Sequence, residues 1–279
     1  MRKSTPSAMP ASTAQTRLRR VEGRHNALVK DLRRAFAHAE LTEEGDCAVE
    51  GMRIVEEAIR SGLRFRAVFF SESAETRAER LLPQMGAHVE TVVLPDKLFA
   101  SVIPSDAPQG VAALVRYRQS SLEDVLNRVP AGPLLAVAGL QDPGNLGTIL
   151  RSAEAFGAAG VLLGEGTVSP FNSKVVRGSA GSIFRLPQVR IKVAEVLPQL
   201  RERGVRLVAT SSHKGVPLPQ ANLSGPVCMF IGGEGAGVPR DVIAKMDEIV
   251  AIPHAPQVES LNAGVAASIV LYEIARLRL

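Results

Sequence analysis

The chain has 279 residues, of which 46% are hydrophobic and 22% are charged. This is an ordinary globular composition, and the length suffices for two domains with separate cores. The apolar runs are too short to cross a bilayer, and the basic N-terminus lacks the apolar segment of a signal peptide. Cys47 and Cys228 have neither zinc-site nor disulfide spacing. We therefore expect a soluble, cytoplasmic protein with no metal site.

The net charge of +5 is concentrated at the N-terminus. Residues 1–34 contain nine Lys or Arg and two acidic residues, a local charge of +7, so the remaining chain carries −2. Residues 1–24 predict a flexible basic arm, because their first part is rich in Ser, Thr, Ala and Pro. Such an arm suits a polyanion such as RNA, and a solvated tail is the alternative.

Alternating helix and strand patterns predict a small α/β domain over residues 25–118. "NALVKDLRRAFAHAEL" has the periodicity of an amphipathic helix that leads this domain. The later elements follow in the order strand CAVEG, helix MRIVEEAIRSG, strand FRAVFF, helix SAETRAERLLPQM, strand HVETVVL, helix PDKLFASVI and strand GVAALVRY. Residues 119–133 predict a linker that contains a helical turn.

Residues 134–279 predict a second α/β domain. Its predicted strands are LLAVAGL, GVLLG, VRLVAT, VCMFIGG and EIVAIP. Its predicted helices cover residues 145–156, 173–182, 193–203, 239–246 and 260–278. Because the strands are almost wholly apolar and alternate with helices, they predict a parallel sheet covered on both faces.

Three turns in this second domain carry unusual residues. The first, "QDPGNLGTILRSAEAFGA", follows strand LLAVAGL and opens a helix with an apolar stripe. Arg151 lies away from that stripe, either as a solvated side chain paired with Glu154 or as a ligand-binding group. Asn145 stands where a helix cap is expected.

The second turn is "FIGGEGAGVPRDVI". Its glycines allow a ligand to approach the backbone, but its spacing fits neither a P-loop nor a dinucleotide fingerprint. Glu234 would repel phosphate, so the loop is expected to face a neutral or cationic ligand. The alternative is a tight turn with Glu234 in solvent.

The third turn opens the stretch "IPHAPQVESLNAGVAASIVLYEIARLRL", which continues into the final predicted helix. Ser260 is expected to cap the final helix, and Asn262 to make a local hydrogen bond in its first turn. Leu261, Val265, Ile269 and Tyr272 recur at helical spacing, which predicts core positions or a contact face.

In this order and spacing, the three turns resemble the motifs of the SpoU-type RNA 2′-O-ribose methyltransferases of the SPOUT superfamily. The first is similar to N-x-G-x-x-x-R, the second to a hydrophobic-Gly-x-Glu-Gly-x-Gly loop, and the third to "IP…SLN". The residues that carry these similarities are Asn145, Gly147 and Arg151, then Ile231 to Gly237, then Ile252, Pro253, Ser260, Leu261 and Asn262. "VEGMRIVEEAI" more loosely resembles the substrate-binding domain, of ribosomal-protein L30e type, of the ribosomal RNA members.

The resemblance implies a deep trefoil knot in the second domain, although knots are rare among folds. It also implies bent S-adenosylmethionine in the knot's loops, an RNA substrate, and a homodimer formed through the C-terminal domain. The cofactor-binding positions that it implies are Thr210, Gly232, Ile252 and Leu261. The catalytic positions that it implies are Asn145, Arg151, Glu234, Ser260 and Asn262.

Arg151 has the central role in the implied reaction, in which a ribose 2′-oxygen attacks a methyl group. A guanidinium stays protonated in proteins, so we expect Arg151 to act electrostatically on an RNA phosphate and on the developing oxyanion rather than as a base.

Several functions stay open at this point. Ribosomal RNA is favoured as substrate by the L30e-like domain, and transfer RNA is the alternative. A non-catalytic RNA-binding member of the fold is a second alternative, although it would have no chemical need for the five catalytic positions. A nucleotide-dependent oxidoreductase is disfavoured by the failed glycine fingerprint.

Overall fold

The structure is a computed structural model that describes residues 18–212, 214–235 and 237–278. The chain divides between Arg116 and Tyr117 into two compact units, called here the N-terminal unit and the C-terminal unit. Within the described residues, no helix combines the length and the apolar character that crossing a membrane requires.

The N-terminal unit is a five-stranded mixed sheet with helices. Its strands are β1 (Leu18–Arg20), β2 (Asp46–Glu50), β3 (Phe65–Ser71), β4 (Glu90–Leu94) and β5 (Val111–Arg116). Its helices are α1 (Ala27–His38), α2 (Met52–Arg60), α3 (Ala78–Leu81) and α4 (Asp96–Val102). The sheet order is β1-β4-β3-β5-β2, in which β5 is antiparallel to β3 and β2 and the other pairs are parallel. The apolar stripe of α1 packs with α4 in one core cluster with the sheet.

The predicted arm over residues 1–24 needs a correction in its last part. Residues 1–17 lie outside the described residues, but Leu18–Arg20 forms β1 and pairs in parallel with β4. Arg19 and Arg20 extend to Glu90 and Glu75, at 3.5 and 2.6 Å. Sequence periodicity could not reveal a three-residue edge strand, because its pairing partner lies about seventy residues further along the chain.

The helix predicted over "SAETRAERLLPQM" is broken into shorter pieces. A 3₁₀ segment over Glu72–Arg77 leads into α3, and a second one covers Leu82–Gln84. Pro83 lies in the second segment, where its ring removes a backbone donor and prevents α3 from continuing.

The C-terminal unit is built on a seven-stranded sheet. Its strands are β6 (Leu134–Ala138), β7 (Gly160–Leu163), β8 (Gln188–Arg190), β9 (Arg206–Ser211), β10 (Val216–Pro217), β11 (Val227–Gly232) and β12 (Glu248–Ala251). Its helices are α5 (Leu122–Leu126), α6 (Pro143–Ala155), α7 (Ser173–Gly178), α8 (Val193–Glu202), α9 (Arg240–Ile243) and α10 (Ala263–Arg276). The order is β10-β12-β9-β11-β6-β7-β8, and every pair is parallel. The predicted parallel sheet is therefore confirmed, with two short strands, β8 and β10, that the apolar pattern had missed.

The segment predicted as a linker, residues 119–133, is part of the C-terminal unit. A capping box between Ser121 and Asp124 starts α5. Val125, Leu126 and Val129 are buried in the same core cluster as β6, so burial of their side chains fixes the segment in place.

The final helix differs from its predicted packing. Its buried residues are Gly264, Ala267, Val270, Leu271 and Ile274. Val265 and Tyr272, predicted as core or contact positions, are 46% and 54% exposed. The core prediction is wrong for these two, because the helix is apolar on two faces and only one of them meets the unit's own core.

Candidate active site

The three motifs meet at one edge of the C-terminal sheet. Strands β12, β9, β11 and β6 are consecutive neighbours and parallel, so their carboxyl ends lie along the same edge. The first motif follows β6, the second follows β11 and the third follows β12. The carboxyl edge of a parallel sheet is where α/β folds place ligands.

Helix α6 starts differently from the prediction. Asp142 is its N-cap, with a side-chain oxygen that accepts from the backbone N–H of Asn145 at 2.8 Å, and Pro143 occupies the first turn. Asn145 therefore does not cap the helix, and its side chain is available for another contact.

Helix α6 lies against α7 at a point where both backbones touch. A Cβ on Gly147 would lie 2.9 Å from the Cα of Gly178 and 3.1 Å from the carbonyl oxygen of Val175. A side chain at Gly147 would therefore push the two helices apart, which is a physical reason for glycine at this position of the motif.

Arg151 lies on the exposed side of α6. Its side chain makes no hydrogen bond or ion pair with any residue that the structure describes. Glu154, its expected partner, instead accepts from Nε of Arg185 at 2.6 Å. The pairing interpretation is wrong because a residue 31 positions away in sequence takes the carboxylate.

The first and second motifs are joined by a hydrogen bond. Asn145, which is 8% exposed, donates from Nδ2 to Oε1 of Glu234 at 2.6 Å. The backbone N–H of Gln141 reaches the other carboxylate oxygen at 3.3 Å. Burial alone would raise the pKa of Glu234, but hydrogen bonds from Asn145 and from the backbone N–H groups of Glu234 and Gln141 outweigh it and hold that pKa below its usual value. Glu234 is thus an ionised carboxylate fixed between two loops.

The glycines of the second motif allow the loop to fold onto neighbouring backbone. A Cβ on Gly232 would lie 1.9 Å from the carbonyl carbon of Gly237, and one on Gly233 would lie 1.9 Å from the oxygen of Gly139. The loop closes through the N–H of Gly237, which donates to the oxygen of Gly233 at 3.1 Å. Any larger residue at Gly232 or Gly233 would open this turn.

The third motif ends at the start of α10. Asn262 is the N-cap, and its Oδ1 accepts from the N–H groups of Gly264 and Val265 at 2.9 and 3.2 Å. The cap predicted at Ser260 is therefore wrong. Ser260 lies two residues earlier and is exposed in the loop.

A cavity of about 580 Å³ lies between these loops, a volume in the ordinary range for small-molecule sites. All four residues implied as cofactor-binding line it, as do three of the five implied as catalytic. These seven are Thr210, Gly232, Ile252, Leu261, Glu234, Ser260 and Asn262. Asn145 and Arg151 are not among the lining residues, and Asn145 contacts the cavity wall through Glu234.

Comparison with known proteins gives this arrangement a family. Residues 133–272 match the SpoU rRNA Methylase family, and residues 26–113 match the MRM3-like substrate binding domain. The chain belongs to the SpoU rRNA methylase family.

Several RNA-modifying proteins resemble the chain over nearly its whole length. It is 30% identical to the 23S rRNA (guanosine(2553)-2′-O)-methyltransferase RlmP of Bacillus subtilis, over 92% of this chain and 99% of that protein. Its fold matches an AdoMet-bound rRNA methyltransferase from Sinorhizobium meliloti with a TM-score of 0.79, at 28% identity over 94% and 99% of the two chains. It matches the SpoU methyltransferase AviRb from Streptomyces viridochromogenes, in complex with AdoMet, with a TM-score of 0.78, at 28% identity over 91% and 98%.

Several residues that line the SpoU cavity were missed by the sequence interpretation. They are Ser211, Ser212, His254 and Glu259, among others. His254 and Glu259 stand inside the third motif, directly after Ile252-Pro253 and directly before Ser260, so their positions in the motif were a usable signal. Ser211 ends β9 and Ser212 follows it, and neither has such a signal beyond the strand's end.

Proposed function

We propose that the chain is an S-adenosylmethionine-dependent RNA methyltransferase that methylates a ribose 2′-oxygen in ribosomal RNA. The observation that carries the proposal is the Asn145–Glu234 hydrogen bond of 2.6 Å. It joins the helix that presents the unpartnered Arg151 to the wall of the cavity, so a substrate group and a small molecule would meet at one place. The rRNA methyltransferases that resemble the whole chain support the same activity.

The cavity's residues fit S-adenosylmethionine. Its described lining has glycine backbone and small polar groups, two carboxylates, and no lysine or arginine. This chemistry accepts an uncharged adenosyl group and a cationic sulfonium, and it disfavours a polyphosphate. The backbones of Gly232, Ile252 and Leu261, with Thr210, would hold the molecule. When bound, it supplies an electrophilic methyl group.

The protein's own part in the reaction is positioning and electrostatics. The guanidinium of Arg151 would bind an RNA phosphate through two parallel hydrogen bonds and stabilise negative charge that develops on the 2′-oxygen. Asn145 and Glu234 would hold the start of α6 relative to the cavity. Asn262 would fix the third motif by capping α10, and Ser260 would orient the ribose or the cofactor from the exposed loop.

The N-terminal unit is proposed to contact the RNA substrate. The support is its match to the MRM3-like substrate binding domain over residues 26–113. Activity on ribosomal RNA also leads us to propose the cytoplasm as the location.

A knotted C-terminal unit and a homodimer are also proposed. The support for a knot is the likeness to SpoU structures. The support for a dimer is an apolar stripe on α10, formed by the exposed Val265 and Tyr272 with the half-buried Ile269 between them. Phe156 stacks edge-to-face on Tyr272 with centroids 5.8 Å apart, which extends the stripe. Val265→Glu should convert a dimer into a monomer in light scattering, whereas Glu202→Gln on the distant helix α8 should not. A monomeric parent protein would contradict the dimer.

The activity is tested by transfer of labelled methyl to RNA that lacks this enzyme's modification, fractionated by size. We expect label in large ribosomal RNA that protects one site from alkaline cleavage. Arg151→Ala should remove most turnover and keep cofactor binding, and the exposed Arg128→Ala is the matched control. Label in small RNA would move the substrate to transfer RNA. Absence of label on both RNA and ribosomal subunits, with cofactor bound, would favour a non-catalytic RNA-binding protein.

A further inference from the structure

The described residues that line the cavity carry a net negative charge. Among the described residues that line it, Glu234 and Glu259 are acidic and none is lysine or arginine. His254 is the remaining titratable group, and its Nδ1 lies 2.7 Å from the carbonyl oxygen of Ile252. The lining therefore imposes a negative potential on whatever molecule occupies the cavity.

The two carboxylates differ in what they contact. Glu234 accepts from Asn145 with one oxygen and from Gln141 with the other, so it already serves to hold the loops together. Glu259 is exposed and has no hydrogen bond or ion pair with a residue in the part of the chain that the structure describes. It immediately precedes Ser260 and Leu261, which also line the cavity. Its charge is available to a bound molecule.

We propose that Glu259 makes this cavity select S-adenosylmethionine over S-adenosylhomocysteine, its demethylated product. The inference rests on the proposed function. The two molecules share the adenosyl and amino-acid groups and differ in the sulfur, which is a cationic sulfonium in one and a neutral thioether in the other. A carboxylate within about 8 Å, the screening length at physiological salt, lowers the free energy of the sulfonium charge, which S-adenosylmethionine carries and S-adenosylhomocysteine lacks. Direct contact with the sulfur is not required.

We therefore expect S-adenosylhomocysteine to inhibit the enzyme more weakly than it would if Glu259 were uncharged. Because Glu259 is exposed, its interaction is partly screened, and exposed ion pairs correspond to a factor of about two to five in affinity. The selectivity should also decrease as salt rises, since screening shortens the reach of the charge. A buried, fully packed carboxylate would be less sensitive to salt.

Calorimetric titration of the full chain with each molecule, without RNA, tests the proposal. In Glu259→Gln, the Kd for S-adenosylmethionine should rise about two- to fivefold, with the Kd for S-adenosylhomocysteine unchanged. Glu259→Asp should retain most of the selectivity. Glu202→Gln is the matched control, since Glu202 is an exposed glutamate of the same unit that does not line the cavity.

Three results would overturn the inference: equal loss for both molecules in Glu259→Gln, no change in either, or the same effect in Glu202→Gln. If Glu259→Gln fails to fold, titration of the parent protein in rising salt decides, because an affinity ratio that stays constant contradicts the electrostatic origin. A parent protein that binds neither molecule would instead overturn the proposed function, and the inference with it.

Discussion

Asp46 in the N-terminal unit and Arg151 in the C-terminal unit show two opposite uses of a charge. Asp46 is fully buried, and it accepts from Nε of Arg116 at 2.8 Å and from Arg66 at 3.4 Å. Arg66 is further tied to Asp31 and Glu44, each at 2.9 Å. Arg151 is exposed and has no partner within the described chain. A charge surrounded by partners stabilises its fold, whereas an unpartnered charge beside a cavity is free to act on a ligand.

The surroundings of the two charges differ in the same way. The helix that carries Arg151 is held by backbone contact with α7 and by side-chain hydrogen bonds to Glu234 and α10. These contacts hold helix α6 in place, while the side chain of Arg151 itself has no such contact. Changes to the support of Arg151 should therefore alter turnover, and changes around Asp46 should alter stability alone.

Among changes to the surroundings of these two charges, the largest expected effect is that of Gly147→Ala. Its Cβ would lie 2.9 Å from the Cα of Gly178, so α6 must shift. Overpacking of this kind costs about 1–3 kcal/mol in free energy of unfolding. A displacement near 1 Å can reduce turnover by roughly 100-fold. Methyl-transfer kinetics and thermal unfolding measure the two effects. Gly23→Ala, where a Cβ has open space and the backbone is not left-handed, is the control for loss of a glycine, and unchanged kcat in Gly147→Ala would contradict the positioning role.

Asp46→Asn should lower stability and leave turnover unchanged. It leaves Arg66 and Arg116 without their buried carboxylate, and charged hydrogen bonds of this kind contribute about 2 kcal/mol. We expect lower stability in chemical denaturation with kcat per folded molecule unchanged. Glu44→Gln, at the exposed edge of the same network, should have little effect. A loss of kcat at full folding in Asp46→Asn would break the contrast between the two charges.

The start of α6 shows how far the sequence could be interpreted. Its apolar stripe predicted the helix, because periodicity is a local property of the chain. The choice of Asp142 over Asn145 as cap was not predictable, because Asn145 is drawn to Glu234, 89 residues away. At α10 the N-cap is Asn262 and not Ser260. Serine and asparagine are both good caps, so the geometry of the loop decides between them and the sequence alone does not.

Long-range pairing explains the other differences as well. The resemblance of the three motifs to the SpoU motifs implied seven of the residues that line the cavity. The motifs meet there because parallel strands place their carboxyl ends along one edge of the sheet. Strand β1 and the Glu154–Arg185 pair depend on partners that local patterns do not contain. The exposure of Val265 depends on which of two apolar faces of α10 meets the core.

Asn145→Ala should have a moderate, pH-dependent effect. The pKa of Glu234 is held below its usual value, so its ionised form stabilises the site above that usual value, and the contribution is lost as pH falls through the lower folded pKa. Removal of the Asn145 donor raises this pKa, so the loss at acid pH should begin at a higher pH. At neutral pH we expect roughly tenfold slower turnover from looser positioning.

Cofactor affinity and turnover, each measured from pH 4 to neutrality, check the effect of Asn145→Ala. The exposed Asn222→Ala is the control for removal of an amide. If affinity and turnover fall at the same acidic pH in Asn145→Ala as in the parent protein, this hydrogen bond does not set the ionisation of Glu234.

The smallest expected effect lies at the contact between α6 and α10. The hydroxyls of Ser152 and Ser268 are 2.7 Å apart, and Ser268 also donates to the carbonyl oxygen of Gly264 near the Asn262 cap. The pair therefore links the helix of Arg151 to the end of the third motif. A double-mutant cycle of Ser152→Ala and Ser268→Ala should give a coupling of about 0.5–1 kcal/mol in unfolding free energy, since a neutral hydrogen bond contributes about that much. The same cycle in kcat should show a coupling of about twofold. Strictly additive effects on both quantities would mean that α6 is held by its backbone contact with α7 and by Asn145, with α10 serving the cofactor cavity independently.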